Sequence, residues 1–321
     1  MINDKFFIKL DELLLDIFVV GYPDKGESQI IILKDNKNIY FSCVIDCYRH
    51  NSINKTIEIL NSIGVKHLDM FIWTHTDEDH SLDIENLVNN FCSSKTSFIL
   101  PELTYGNLKD FIEYSQEIKK SLDLINAFNK GNNYNVASAT AVPKSHSNIW
   151  RNEFIDTETT SKLLFEIIAV APCSALLRRR YDAGDLKKKN DLSIATIFKI
   201  GGLNLFLTGD IEDQTITQIA NYHFENINYI KTPHHSSTTS TKVIDKISEN
   251  SVSKTLKSVS TVYKQHNLPH PDVVEKYKLI SNSFISTGLG QNDSGIDYTS
   301  FNVINNQIID EKHYGNCLKL F

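Results

Sequence analysis

Thr74-His75-Thr76-Asp77-Glu78-Asp79-His80 follows directly on the apolar run Leu68 to Trp73, and sets four metal-capable side chains, His75, Asp77, Asp79 and His80, within six residues. A strand ending near Trp73 delivers this segment to a sheet edge, where a tight loop can turn imidazoles and carboxylates inward onto cations. Two further stretches follow in the order such a centre needs: LFLTGDIE, with Asp210 behind Gly209, and IKTPHHSS, with His234 and His235. Each is a weak signal alone. The three in series point to a two-metal hydrolase.

Two neighbouring divalent ions need ligands on both and one carboxylate between them. His75 and Asp77, two apart on an extended loop, can face one cation, while Asp79 and His80 face the other. Asp210, at a strand end after a glycine, is placed to bridge. His234 or His235 completes the second ion, with His234 preferred as ligand and His235 orienting it or touching substrate. Ser236 and Ser237 can contact a phosphate or cap the next helix. His270, ahead of Pro271, is a candidate proton donor to the leaving oxygen or a phosphate contact. Asp79, Asp210, His235 and His270 form the expected catalytic set. His50, His67, His223, His266 and His313 carry no motif and read as ordinary histidines.

The 321 residues suffice for one large α/β domain, and a hydrophobic content of 41% with 22% charged residues is ordinary for a globular protein. No apolar run approaches the roughly 20 residues of a membrane span. The apolar N-terminal region is broken by Lys9, Asp11, Glu12 and Asp16 and reads as strand rather than signal peptide, so a cytoplasmic location is expected. Five cysteines at irregular spacing argue against a disulfide framework. The net charge of −6 does not advertise nucleic acid, but Arg178, Arg179, Arg180, Lys187, Lys188 and Lys189 cluster around Asp182 and Asp185. Such a loop can grip a polyanion locally, since phosphate binding follows local cation density.

Apolar periodicity predicts strands at Leu13 to Val20, Gln29 to Leu33 and Ile39 to Ile45, the last two forming a hairpin, then a helix over Ile53 to Ile63 stopped by Gly64. A helix over Leu82 to Phe91, a strand at Ser97 to Leu100 and a long amphipathic helix between Gly106 and Asn129 follow. Gly131 to Thr160 reads as loop, and residues 102–160 as a helical and loop insertion within a single domain of residues 1–321. Strands are expected at Leu163 to Val170, Leu192 to Ile200 and Leu203 to Leu207, the last pair joined at Gly201-Gly202. Ile211 to Tyr222 reads as helix, Ile227 to Lys231 as strand and Pro271 to Leu279 as helix, with closing strands at Phe284 to Ser286 and Ser300 to Ile304.

With these motifs the chain resembles the metallo-β-lactamase fold superfamily, whose general HxHxDH signature stands here as HxDxDH with Asp77 at the second position. That variant, with LTGDIE and PHHSS, looks like the metallo-β-lactamase-like domain of the ComEC competence family, proteins that take up DNA and whose domain is regarded as a nuclease. Gly26-Glu27-Ser28, Val44-Ile45-Asp46, Asn190 to Ser193, and Asn267 with His270-Pro271 extend the likeness outward. The resemblance implies a four-layer αβ/βα fold, two divalent ions, zinc or manganese, and an extra histidine on the first ion, for which His146 is the candidate. Asp46 and Asn190 are expected to support the ligands. The ComEC membrane-spanning region has no counterpart here.

Exchanging imidazole for carboxylate at Asp77 hardens the first site, favouring manganese or magnesium and phosphate oxygen. The expected function is a metal-dependent phosphodiesterase or nuclease acting on DNA through a metal-bound hydroxide. Arg178 to Arg180, Lys187 to Lys189, Ser236 and Ser237 are then expected to hold the substrate. A hydrolase of a small phosphodiester or ester is the first alternative. A regulatory subunit of a multiprotein defence or DNA-processing complex, with a protein partner, is the second.

Overall fold

The computed structural model describes residues 4–104, 113–129, 135–251, 256–290 and 293–321. The strands are β1 (Asp4–Ile8), β2 (Leu14–Gly21), β3 (Glu27–Lys34), β4 (Ile39–Ile45), β5 (Met70–Ile72), β6 (Ser97–Leu100), β7 (Val136–Ser138), β8 (Ser147–Asp156) and β9 (Lys162–Ala171). They continue with β10 (Ala195–Ile200), β11 (Leu203–Leu207), β12 (Tyr229–Lys231), β13 (Lys257–Thr261), β14 (Ser283–Thr287), β15 (Gly295–Asn302), β16 (Gln307–Gly315) and β17 (Cys317–Lys319). The helices are α1 (Lys55–Ile63), α2 (Ile84–Phe91), α3 (Gln116–Asn126), α4 (Ser174–Asp182), α5 (Asp213–Ile216), α6 (Lys242–Asn250) and α7 (Pro271–Tyr277).

One sheet runs β16-β15-β2-β3-β4-β5-β6-β7 and the other β1-β8-β9-β10-β11-β12-β13-β14-β17. Strand alternation sorts apolar side chains between one inner core and two outer ones. Leu15, Ile17 and Val19 of β2 and Ile31 and Leu33 of β3 face Phe165, Phe198 and Leu205 of the opposite sheet. Phe18, Val20, Ile30 and Ile32 point outward, where Leu60, Leu87 and Ile118 of α1 to α3 cover them. On the far side Phe206 and Ile230 lie under Val243 and Ile247 of α6 and Val273 and Tyr277 of α7. The layers are therefore helix, sheet, sheet, helix, the four-layer αβ/βα sandwich that the resemblance implies.

β4 to β7 pair in parallel, as do β11 to β14. The carboxyl ends of parallel strands open the crevice where ligands bind. Asp46 after β4, the segment after β5, Asp210 after β11 and His235 after β12 all leave such ends.

The β3–β4 hairpin, α1 with its Gly64 cap and the β10–β11 hairpin stand where expected. Four segments differ. Ser147–Asp156 is a ten-residue strand where a loop is expected, because its alternation is carried by polar and apolar side chains alike, with Asn152 as buried as Phe154. Arg178 to Arg180 ride on α4 rather than in a loop. Ile211 to Tyr222 holds only the single turn of α5 before a 3-10 turn at Asn221–Phe224. Among the described residues the amphipathic helix runs over Gln116–Asn126, and Gly106, Leu108 and Phe111 lie outside the described residues. Among the described residues no helix is long and apolar enough to cross a membrane.

Candidate metal centre

Asp46 anchors the site. Thr74 donates to its Oδ1 from the backbone nitrogen (2.7 Å) and to its Oδ2 from Oγ1 (2.6 Å), pinning the loop after β5 to the end of β4. His80 Nδ1 lies 2.7 Å from the same Oδ2, which turns His80 Nε2 towards the crevice. Gly209 shapes the other sheet's contribution. Its φ is +52°, and an added Cβ would stand 2.6 Å from Ser193 Oγ and 2.9 Å from Ile194 O, so only glycine lets the chain bring Asp210 in. Ser193 Oγ then accepts from Asp210 N at 3.2 Å. His234, His235 and Ser236 have consecutive positive φ of 47°, 51° and 60°, a left-handed turn that throws neighbouring side chains in different directions.

His235 is the histidine this turn sends inward. Its Nε2 lies 3.4 Å from Asp79 Oδ2 and 3.6 Å from Asp210 Oδ2. His80 Nε2 lies 3.7 Å from Asp79 Oδ2 and 3.5 Å from Asp210 Oδ2. A tetrahedral shell with bonds of about 2.1 Å has edges of roughly 3.4 Å, so these four donors are spaced to share one ion. His80 Nε2, His235 Nε2, His75 Nε2 and Asp210 Oδ1 are buried without a hydrogen-bond partner, an arrangement that protein interiors avoid unless something else binds the atoms. Four buried carboxylates, Glu27, Asp46, Asp79 and Asp210, face one fully buried ammonium, Lys231. That excess of negative charge also calls for a cation.

Glu27, His80, Asp210 and His235 likewise bring donor atoms within 4.8 Å of one another. Glu27 belongs behind the imidazoles instead. Its Oε2 is 2.6 Å from Lys231 Nζ and accepts from Thr261 Oγ1, and it reaches the Nδ1 side of His235 at 3.4 Å. Lys231 is thus the cation Glu27 serves, and Asp79 completes the Nε2-facing set.

Burial alone would push the Asp210 carboxyl up, but the imidazoles of His80 and His235 hold it well below the carboxylate range. Asp79 is lowered in the same way, burial being overcome by His80 and His235. Burial opposes charge on His80, yet Asp210 and Asp79 raise it well above an ordinary histidine. His75 moves the opposite way, lowered by burial and then by His80.

The remaining expected residues are placed as follows. His75 Nε2 lies 3.6 Å from Asp77 Oδ2 and 3.9 Å from Asp210 Oδ2, so the first position is outlined by these three side chains. His146 does not join them. It packs edge-on against His223, with ring centroids 5.1 Å apart, and sits 3.5 Å from Tyr222 Oη. His234, the preferred ligand, also lines the crevice, but its nitrogens already have protein partners: Nδ1 is 3.2 Å from Glu212 Oε1 and from Thr239 Oγ1, and Nε2 accepts from Asn190 Nδ2 at 3.1 Å. Ser236 Oγ hydrogen-bonds with the Thr232 and Ser260 hydroxyls, and Ser237 accepts from Thr239 N as a helix cap, so both hydroxyls serve the fold. His270 is likewise a cap, accepting from Asp272 N at 3.2 Å.

Of the basic cluster, Arg180 is buried and spent on Asp185, Asp191 and Gln214, and Lys189 pairs with Asp77 at 2.6 Å. Arg178, Arg179, Lys187 and Lys188 are exposed. The crevice over the centre encloses about 240 Å³ and is lined also by Lys25, Tyr263 and His266, none of them expected. Tyr263 and His266 stack at 5.0 Å, and Tyr263 reaches His235 at 5.4 Å. Only the Gly26-Glu27-Ser28 turn and a lysine ending an apolar strand hinted at Glu27 and Lys231; no motif marks Tyr263 or His266. A larger depression of about 670 Å³ beside the β3–β4 turn has no such convergence of buried donors.

No protein-family model matches the chain, and no curated protein matches it significantly. Among solved structures it is similar to a new diphosphatase from the PhnP family, at 11% identity and a TM-score of 0.40 over 87% of this chain and 96% of that one. It is also similar to the metallo-beta-lactamase fold protein YhfI from Bacillus subtilis, at 10% identity and a TM-score of 0.42 over 87% of this chain and 98% of that one. Likenesses this loose leave substrate and mechanism to the centre's own geometry.

Proposed function

We propose that this chain is a metal-dependent hydrolase of metallo-β-lactamase type that cleaves phosphodiester bonds, with DNA as its substrate. The observation that carries the reading is the set of buried, partnerless donor atoms His80 Nε2, His235 Nε2 and Asp210 Oδ1 gathered around Asp79. Asp79, His80, Asp210 and His235 would hold a divalent ion, with Asp46 fixing His80 and Glu27 behind His235. Such an ion makes water a nucleophile at neutral pH and offsets charge developing on a phosphoryl oxygen. Four carboxylates along the crevice, Asp77, Glu78, Asp79 and Asp210, favour hard ions and phosphate oxygen over softer chemistry. Lys25, paired with Glu78 at 2.7 Å, and His266 also line the crevice, where a substrate phosphate would meet them. The exposed Arg178, Arg179, Lys187 and Lys188 lead along α4 and its following loop to Asn190, a basic approach suited to a nucleic-acid backbone.

Purified protein with Mn²⁺ or Zn²⁺, incubated with plasmid and single-stranded DNA beside Asp210→Ala, tests this. Metal-dependent cleavage lost in Asp210→Ala is expected. Intact DNA under every metal removes the DNA reading. The small crevice, about 240 Å³, favours a second reading in which the substrate is a small phosphodiester. Turnover of small diesters without salt-sensitive DNA binding would select it.

A further inference from the structure

The two metal positions are not equally built. One has four donors: Asp79, His80, Asp210 and His235. The other has His75 and Asp77 with a share of Asp210, and His146, the imidazole it lacks, is engaged with His223. Asp77 is moreover already neutralised. Lys189 Nζ lies 2.6 Å from its Oδ1 and 3.5 Å from Thr76 O, on a side chain only 20% exposed. Lys189 immediately precedes the 3-10 turn Asn190–Leu192, and Asn190 is hydrogen-bonded to His234, so the lysine is delivered by structure tied to the centre.

We infer that Lys189 is a built-in cation taking the place of one of the two ions, so that the centre holds a single divalent ion at Asp79, His80, Asp210 and His235 with a fixed ammonium beside it. This rests on the metal-dependent reading and replaces the two-ion expectation. The physical ground is charge. Even with the full dielectric of water, a unit and a double positive charge about 4 Å apart repel enough to weaken binding roughly 30-fold, and a crevice screens less than water. A carboxylate held by a lysine also offers one oxygen fewer to a second ion. Once the ammonium is gone, His75, Asp77 and Asp210 are three protein donors, the number that catalytic sites with an open position use.

The test is metal stoichiometry. Chelator-stripped protein is titrated with Zn²⁺ by calorimetry and counted by elemental analysis after gel filtration, for wild type, Lys189→Met, Lys189→Gln and Lys189→Arg. One tight Zn²⁺ per chain is expected for wild type and Lys189→Arg, and a second, bound at least ~30-fold tighter than any second ion in wild type, for Lys189→Met and Lys189→Gln. Wild type loaded with Mn²⁺ should give the six-line electron paramagnetic resonance signal of isolated ions. Two tight ions or an exchange-coupled signal in wild type overturns the inference and leaves the hydrolase reading standing. One ion in every variant overturns the role of Lys189. No tight ion in wild type removes the hydrolase reading and the inference with it.

Discussion

Asp46 Oδ2 and His80 Nδ1 are 2.7 Å apart, both fully buried, in a carboxylate–imidazole pair that crosses from the end of β4 to the loop after β5. The carboxylate would hold the proton on Nδ1 and leave Nε2 to an ion bound between it, Asp79 and Asp210. In Asp46→Asn the amide can present an N–H to Nδ1, favouring the wrong tautomer. Partners of this kind cost about 10–100-fold in metal affinity when removed. Calorimetric Zn²⁺ titration of Asp46→Asn should show a loss in that range, and an unchanged affinity would show that the pair does not orient the ligand.

The left-handed turn separates the two neighbouring histidines by role. His235→Ala removes an inward donor and should weaken ion binding by at least ~100-fold, beyond the cost of losing a supporting partner. His234→Ala removes contacts to Glu212, Thr239 and Asn190 and should keep the ion count of wild type. The reverse order in elemental analysis would return the ligand role to His234.

Glu27 and Lys231, both fully buried, form an ion pair of 2.6 Å between the two sheets. Removing one member strands the other charge, which costs about 3–5 kcal/mol, whereas removing both is far milder. Lys231→Met should therefore unfold at markedly lower urea than wild type, and Glu27→Gln with Lys231→Met should recover part of the loss. Additive costs in the double variant would contradict a buried pair.

His223 gives the fold an acid limb. Burial, with Lys199 and His146 adding to it, pushes its pKa down to about 3, against about 6.5 in an unfolded chain. Between those values the unfolded chain binds one proton more, so stability rises with pH through this window and is lost as pH falls from about 6.5 towards 3. His223→Phe removes that proton and should flatten the slope of stability against pH across the window, read by urea unfolding at pH 7, 5.5 and 4. An unchanged slope would assign the acid limb to other groups.

The legible parts of the sequence are those where one physical rule acts alone. Apolar runs rich in β-forming residues set β2 to β4, Gly64 ends α1, and paired apolar runs around Gly201 make a hairpin. The cluster from His75 to His80 was legible because several charged groups in one short segment have few other uses. β8 was hidden because strand pairing, not apolar content, holds it between β1 and β9. His235 could not be told from His234 in a linear string: three left-handed residues decide the direction, and none is glycine. Glu27 and Lys231 are 204 positions apart in sequence and meet only because the two sheets face each other.

Two of the four donors, Asp79 and His80, hang from one sheet, and the other two, Asp210 and His235, from its opposite. Grip on an ion is thereby a gauge of how closely the halves of the sandwich approach. Phe41 and Phe165 meet across the same interface with ring centroids 5.0 Å apart. Hollowing out that contact touches no donor, yet any relative slip of the halves is felt where the donors converge. Cation affinity can therefore drift through substitutions in the apolar filling, and selection on one property is bound to act on the other.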